Sequence, residues 1–248
     1  YQRDRPAEIH RAPLAETRYL SFNTPRPPLN DARVRRALAL AIDRQKIVER
    51  VTRGGQTPAK HFCPVPIDTP LPLEPSIWAP RLDPKSAQRL LAEAGFASGK
   101  NFPRLELTAW SPSQVPVLEA LQAMWREHLG IDVVIALREA KVHLDALRTG
   151  GFDIAFATAI PDAADPAAML GDLVTGAPLN YPGWSSTEFD RAVAAGRWAD
   201  AERAISAGAP VAPLYYNSKV WLMSPRVRGW TEDGLWARVY QGVSIVSP

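Results

Sequence analysis

Cysteine is nearly absent from this sequence, and its scarcity limits the covalent and metal chemistry available to the chain. Cys63 is the only cysteine among the 248 residues, so no disulfide can form within the chain. His61 lies two positions away, but two side chains are too few for a metal site. The next histidines, His128 and His143, fall in segments with helical patterns. The sequence therefore predicts no bound metal and no cofactor.

Long apolar segments and catalytic signatures are also missing. No apolar run approaches the roughly 20 residues of a membrane-spanning helix, and no secretory leader stands at the front. Because the chain begins at Tyr1 without Met, we expect a processed form or an excised fragment. The sequence contains no nucleophile elbow, no phosphate-cradling glycine-rich loop and no HExxH motif. We therefore expect a protein that is not an enzyme.

A basic stripe is missing as well, although the net charge is +3. Only Arg33, Arg35 and Arg36 form a cluster, and they lie at the start of a predicted helix. A nucleic-acid-binding protein more often shows basic residues interleaved with aromatic ones along one surface. Scattered, solvated arginines explain the charge better, so we predict no nucleic-acid partner.

Proline, by contrast, is abundant, and it divides the first part of the chain into elements. The 24 prolines often lie in pairs, which mark extended connectors between packed segments. The patterns predict a strand at 19–23, a helix capped by Asn30 or Asp31 and running to about Arg53, a proline-rich loop at 56–82, and a helix at 83–95.

The middle of the chain has the pattern of an α/β fold. It predicts a strand at 105–110, a helix at 115–129, a strand at 131–137, a helix at 141–149 and a strand at 152–158. This β-α-β-α-β order implies a mixed or parallel sheet with helices on its faces. Further on, the Ser185–Glu188 capping box predicts a helix to about Ser206, weakened near Gly196, followed by strands at 209–216 and 220–223.

The segment from Gly150 to Pro166 holds the best candidate for a binding site. An apolar strand follows a double-glycine turn and ends near Pro161, and Asp162 and Asp165 come directly after it. Open α/β folds place ligand-binding groups at this position, just beyond the end of a strand. Asp165 precedes Pro166 and is better explained as a helix cap. An enzyme that uses Asp162 and Asp165 as an acid–base pair is a weaker alternative.

Several motifs, taken in order, resemble those of one protein family. The first are residues 19–24 (YLSFNT), 27–38 (PPLNDARVRRAL) and 41–44 (AIDR). They are followed by residues 151–153 (GFD), Asp162 with 165–166 (DP), 188–190 (EFD), 209–215 (APVAPLY) and 227–230 (VRGW). This order resembles family 5 extracellular solute-binding proteins, the oligopeptide- and dipeptide-binding subunits of ABC importers.

The resemblance implies a periplasmic binding protein-like (class II) lobe, with the N-terminal lobe of the family missing. We expect residues 28–206 to form one complete α/β lobe. Residues 1–27 would contain a crossing strand and a remnant of the missing lobe, and residues 207–248 would return toward it. In the family, two such lobes close on the ligand by a hinge motion.

The resemblance also suggests ligand-binding residues. Asp162 matches the acidic residue that receives a peptide's α-ammonium group, an interaction that shielding from water would strengthen. Ala159, Ile160 and Pro161 lie where the family pairs its backbone with an extended ligand, although Pro161 has no N–H to donate. Asn180 also matches a position near the ligand, and its alternative role is that of a turn residue.

Two positions depart from the family pattern. Many peptide-binding members have Trp at the position of Ala159, and some have Arg at the position of Phe156. The strand at 152–158 therefore has no basic residue to hold a peptide carboxylate. From this we expect either a peptide bound mostly through its backbone or another small solute.

The resulting functional prediction is a periplasmic (extracytoplasmic) solute-binding protein. It would bind a peptide or other small solute and deliver it to the transmembrane permease subunits of an ABC importer. Contact with the membrane would occur only through the permease or a lipid anchor, and the targeting leader is absent from this chain. The alternative is the ligand-sensing region of a bacterial transcriptional regulator that has a solute-binding-like domain.

Overall fold

A mixed six-stranded sheet forms the centre of the computed structural model, which describes residues 3–64, 82–232, 234–235 and 239–247. Its strands are β1 (Ile9–Phe22), β2 (Thr57–Pro58), β3 (Leu105–Ala109), β4 (Val133–Leu137), β5 (Ile154–Ala159) and β6 (Val211–Leu222), in the order β2-β6-β1-β5-β3-β4. A separate two-stranded ribbon pairs β7 (Val227–Arg228) with β8 (Ser244–Ile245).

Helices cover the sheet, which confirms the predicted α/β class. They are α1 (Ala32–Leu40), α2 (Arg44–Lys46), α3 (Pro84–Glu93), α4 (Val115–Leu129), α5 (Ala140–Thr149), α6 (Ala167–Leu170), α7 (Thr187–Ala194) and α8 (Trp198–Gly208). Strands β3, β4 and β5 are parallel, whereas β1, β2 and β6 pair antiparallel. None of the helices in the described ranges is both long and apolar enough to cross a bilayer.

The two longest strands were only partly predicted. β1 begins at Ile9, ten residues before the predicted strand at 19–23, and β6 joins the two strands predicted at 209–216 and 220–223 into one. The reason is that polar residues occupy interior positions in both. Glu16 and Thr17 in β1 and Lys219 in β6 are buried, so neither strand shows the alternation of a half-exposed strand.

The helix predicted to run from Asp31 to Arg53 is interrupted. The Asp31 side chain accepts a hydrogen bond from the Arg33 N–H and caps α1, as predicted, but α1 ends at Leu40. Asp43 then caps α2, which continues as a wider π-helical segment over Ile47–Thr52. The buried Arg44 guanidinium explains the break, because it donates to the carbonyls of Ala39, Ile42 and Pro213, at 3.2, 3.3 and 2.6 Å.

A second buried arginine joins the start of α1 to the end of α8. Arg35 donates to the Leu29 carbonyl at 2.5 Å and to the carbonyls of Gly208 and Ala209, which lack partners at the helix C-terminus. Burial lowers the Arg35 pKa to about 10, so the side chain stays charged at neutral pH. The positive charge at the carbonyl end of α8 also suits the helix dipole.

Other predicted boundaries shift slightly. The N-cap of α7 is Ser186, whose side chain accepts from the Phe189 N–H, so the capping box predicted at Ser185–Glu188 is wrong by one residue. The predicted weak point at Gly196 is confirmed as the break between α7 and α8. Of the predicted loop at 56–82, residues 57–58 form β2, and residues 65–81 lie outside the described residues. The domain boundaries after residues 27 and 206 stay predictions.

A buried carboxylate holds the chain just after β2 against α8. Glu202 is 8% exposed, and its oxygens accept hydrogen bonds from the backbone N–H groups of Phe62 and Cys63, at 3.0 and 2.8 Å. Burial raises the Glu202 pKa, an effect that these two hydrogen bonds partly offset. Glu202 therefore ties the segment after β2 to α8, in addition to the hydrogen bonds that Thr17 and Tyr216 make with the same segment.

We predict that Glu202→Ala destabilises the protein by about 2–3 kcal/mol, because it leaves two buried N–H groups without acceptors. Amide hydrogen exchange should accelerate at Phe62 and Cys63 in the complete protein that contains this chain. Glu119→Ala, which removes an exposed carboxylate from the middle of α4, is the matched control and should leave exchange at these amides unchanged. Equal exchange in both variants would contradict the role given to Glu202.

Candidate functional site

Among the described residues, no strand pairs with one edge of β5 at its carboxyl end. β5 pairs with β3 only through Ile154 and Ala155, whereas it pairs with β1 along its whole length, up to Ala159 opposite Thr17. From Phe156 onward, the β3 side of β5 therefore has no ladder among the described residues. An extended chain can add to such an edge through backbone hydrogen bonds.

The predicted site residues that follow this edge differ in exposure. Ala159 and Pro161 are buried, Ile160 is 48% exposed, and Asp162 is exposed. Within the described part of the chain, the Asp162 carboxylate has no hydrogen-bond or ion-pair partner. The strand begins at Ile154, two residues later than predicted, and ends at Ala159, one residue later than predicted. The structure thus places an uncompensated carboxylate three residues beyond a partly unpaired strand.

A second carboxylate lies close to Asp162. Asp172 is half-buried, and its pKa is raised, first by burial and then by the negative charge of Asp162. Tyr181 lies nearby, and its pKa is also raised mainly by burial. Sequence reasoning missed Asp172, because the contact depends on how the segment after β5 folds back. Two neighbouring carboxylates repel each other when both are ionised, and a cation close to both relieves this repulsion. The pair therefore favours a positively charged group.

Asp165 and Asn180 both act within their own segments. The Asp165 side chain accepts from the Ala167 N–H at 2.9 Å, which is the cap expected before α6. The Asn180 amide donates to the carbonyls of Val174 and Trp184, at 3.1 and 2.7 Å, and accepts from the Trp184 N–H at 3.2 Å. These bonds hold the loop before α7, the alternative role considered for Asn180. Its ligand contact stays a prediction.

A cavity of about 370 Å³ lies beside the same end of β5. Its lining includes Arg18, Trp110, Gln114, Phe156 and Asn217. Arg18 stands directly opposite Thr158 in the β1–β5 register, so the site contains a guanidinium that β5 itself does not supply. Sequence reasoning missed Arg18, because residues 1–18 show no period that would place them in a strand.

His61 and Cys63 lie away from this edge and are both buried. Burial lowers the His61 pKa to about 4 and raises the Cys63 pKa well above its usual value, so neither side chain is poised to react at neutral pH. Among the described residues, no three His, Cys, Asp or Glu side chains are grouped as metal ligands.

Comparison with known proteins places these features in a family. Residues 1–181 match the family model described as "Bacterial extracellular solute-binding proteins, family 5 Middle". The chain is 30% identical over 239 residues to the periplasmic oligopeptide-binding protein OppA of Salmonella typhimurium, an alignment that covers 91% of this chain and 44% of OppA. It is also 29% identical over 243 residues to the probable deoxycholate-binding periplasmic protein YgiS of Escherichia coli, covering 91% and 44%.

The fold agrees with these sequence matches. The solved structure of the murein tripeptide binding protein MppA of Escherichia coli superposes with a TM-score of 0.82 at 28% identity, covering all of this chain and 51% of MppA. This confirms a periplasmic binding protein-like fold. The chain spans about 44% of the length of the two curated relatives. Because the family model matches well over half of it, the chain belongs to the bacterial extracellular solute-binding proteins of family 5.

Proposed function

We propose that this chain is part of the solute-binding component of an ABC importer, which captures a peptide-like solute between two lobes and delivers it to the membrane permease. Residues 28–206 form one lobe in this proposal, and residues 1–27 and 207–248 lead toward a second lobe. The protein works outside the cytoplasm, as the names of its relatives OppA and YgiS state for those proteins. Its activity is selective binding without catalysis.

The observation that carries the proposal is the end of β5. The edge beyond Ala155 offers backbone groups to an extended chain, and the exposed Asp162 follows three residues after the strand ends. A peptide presents both complementary features, a backbone with regular donors and acceptors and an α-ammonium group at one end. Backbone pairing gives affinity for many sequences, and the ammonium contact fixes the register of the bound chain.

The solute can be identified directly. We expect native mass spectrometry of the complete protein, purified from its host, to show a peptide that is released on denaturation. A released sterol or other solute without an ammonium group would overturn the peptide part of the proposal and keep the transport role. The relative YgiS, named as a probable deoxycholate-binding protein, makes this outcome a specific alternative.

We predict that Asp162→Asn weakens peptide binding to the complete protein by about 10- to 100-fold. The substitution removes a charge-assisted hydrogen bond to the ammonium group, worth about 1.5–3 kcal/mol. Isothermal titration with a peptide identified in the native sample measures the loss. Asp165→Asn is the matched control, because it removes the same charge three residues away and asparagine can still cap α6. Equal affinities of the two variants would contradict the role of Asp162.

We also predict that peptide affinity rises as the pH increases from acidic to neutral values, through the ionisation of Asp172. Its pKa is raised in the free protein, so acid leaves it protonated and unable to attract the ammonium group. Raising the pH through this pKa restores the second negative charge and strengthens binding. In Asp172→Asn the dissociation constant should vary less with pH than in the wild type. Identical slopes in both proteins would show that Asp172 plays no part.

A further inference from the structure

We infer that Arg18 holds a carboxylate of the bound solute, so that the ligand class is a short peptide with a free acidic group. This inference rests on the proposed function and adds to it the residue that recognises the second charge. β5 has no basic residue that could hold a carboxylate. Arg18 in β1 supplies a guanidinium directly opposite Thr158 of β5.

Two contacts orient the Arg18 side chain. Its Nε atom pairs with Glu16 Oε1 at 2.5 Å, and its Nη1 atom donates to Thr158 Oγ1 at 2.8 Å. Nη2 makes no hydrogen bond within the described residues, and the side chain is 22% exposed as it lines the cavity. These two contacts involve Nε and Nη1, so the two N–H groups of Nη2 are left for a further acceptor.

Glu16 fixes the orientation of the Arg18 side chain and leaves other N–H donors of its guanidinium unused. The Glu16 carboxylate is completely buried, and Oε1 also accepts a hydrogen bond from Asn217 Nδ2 at 3.0 Å. A guanidinium has five N–H donors in a fixed plane, so it can pair with a second carboxylate while the first stays bound. A purely structural Arg18, present only to neutralise Glu16, would not need to present Nη2 to a cavity.

The cavity suits a polar end group. Its volume of about 370 Å³ is within the range of small-ligand pockets. The same lining includes the polar residues Ser111, Gln114 and Asn217 and the apolar surface of Trp110 and Phe156. A carboxylate beside Arg18 would therefore lose water on its apolar sides and keep a charged partner.

The two charges lie near the same end of β5. Thr158, which contacts Arg18, lies four residues before Asp162, a path of at most about 14 Å along the chain. One short peptide could therefore place its ammonium group at Asp162 and a carboxylate at Arg18. The carboxylate is either the C-terminal group or an acidic side chain.

Three synthetic pools of peptides, two to five residues long with free α-amines, distinguish these sources. The first pool has free C-terminal acids and no Asp or Glu, the second has C-terminal amides and no Asp or Glu, and the third has C-terminal amides and one Glu. Each pool is mixed with the complete protein, and the retained peptides are counted by mass spectrometry. We expect the wild type to retain the first or third pool at least tenfold better than the second.

The variants test whether Arg18 causes this preference. Arg18→Gln alone removes the cation that pairs with the buried Glu16 and can fail to fold, so the double variant Glu16→Gln/Arg18→Gln, which removes both charges, is the main test. It should retain all three pools equally. Arg26→Gln is the control, because Arg26 pairs with Asp153 at 2.9 Å, at the opposite end of β5, and its loss should leave the preference intact.

Each outcome decides a separate question. Preference for the first pool identifies the C-terminal carboxylate, and preference for the third identifies an acidic side chain. Equal retention of all pools by the wild type, or an unchanged preference in the double variant, overturns the role of Arg18 and leaves the proposed function intact. Retention of none of the pools by the wild type overturns the peptide-binding function itself, and the inference with it.

Discussion

The antiparallel pairing of β1 with β5 and β6 is the constraint on which the rest of this structure depends. β1 lies in the middle of the sheet and joins the parallel strands of the β-α-β-α-β unit to the strand that follows α8. At its end, the Asn23 side chain donates to the carbonyls of Gly150 and Phe152, at 2.9 and 2.7 Å, and so fixes the turn that starts β5. A slip of one residue would turn every β1 side chain to the other face of the sheet.

The elements set by local signals could be predicted from the sequence. α4 has the predicted bounds, and Gly130 after it takes the left-handed conformation, at φ 70°, that ends a helix. Gly150 does the same after α5, at φ 72°. In these segments the apolar period and the terminating glycine lie within a few residues of each other, so neither depends on the distant parts of the chain.

The features set by distant contacts could not be predicted in this way. The break after α1 depends on Arg44 reaching the Pro213 carbonyl, 169 residues away in sequence. The candidate site shows the same division. Asp162 was found from motif order and its place after a strand, whereas Arg18 needs the β1–β5 register and Asp172 needs the fold of the segment after β5. The apolar period of a single segment indicates neither the register between two strands nor how a later segment packs against them.

The irregular pairing between β1 and β6 limits how this sequence can change in length. Pro13 pairs with Ser218 and Thr17 pairs with Tyr216, so three β1 residues, 14–16, lie opposite Asn217 alone. Bulges of this kind redirect side chains, and here the bulge contains Glu16. An insertion or deletion of one residue at this point would turn the β1 side chains on one side of the bulge to the opposite face of the sheet. Evolutionary length changes in this segment that keep both faces should therefore occur in steps of two.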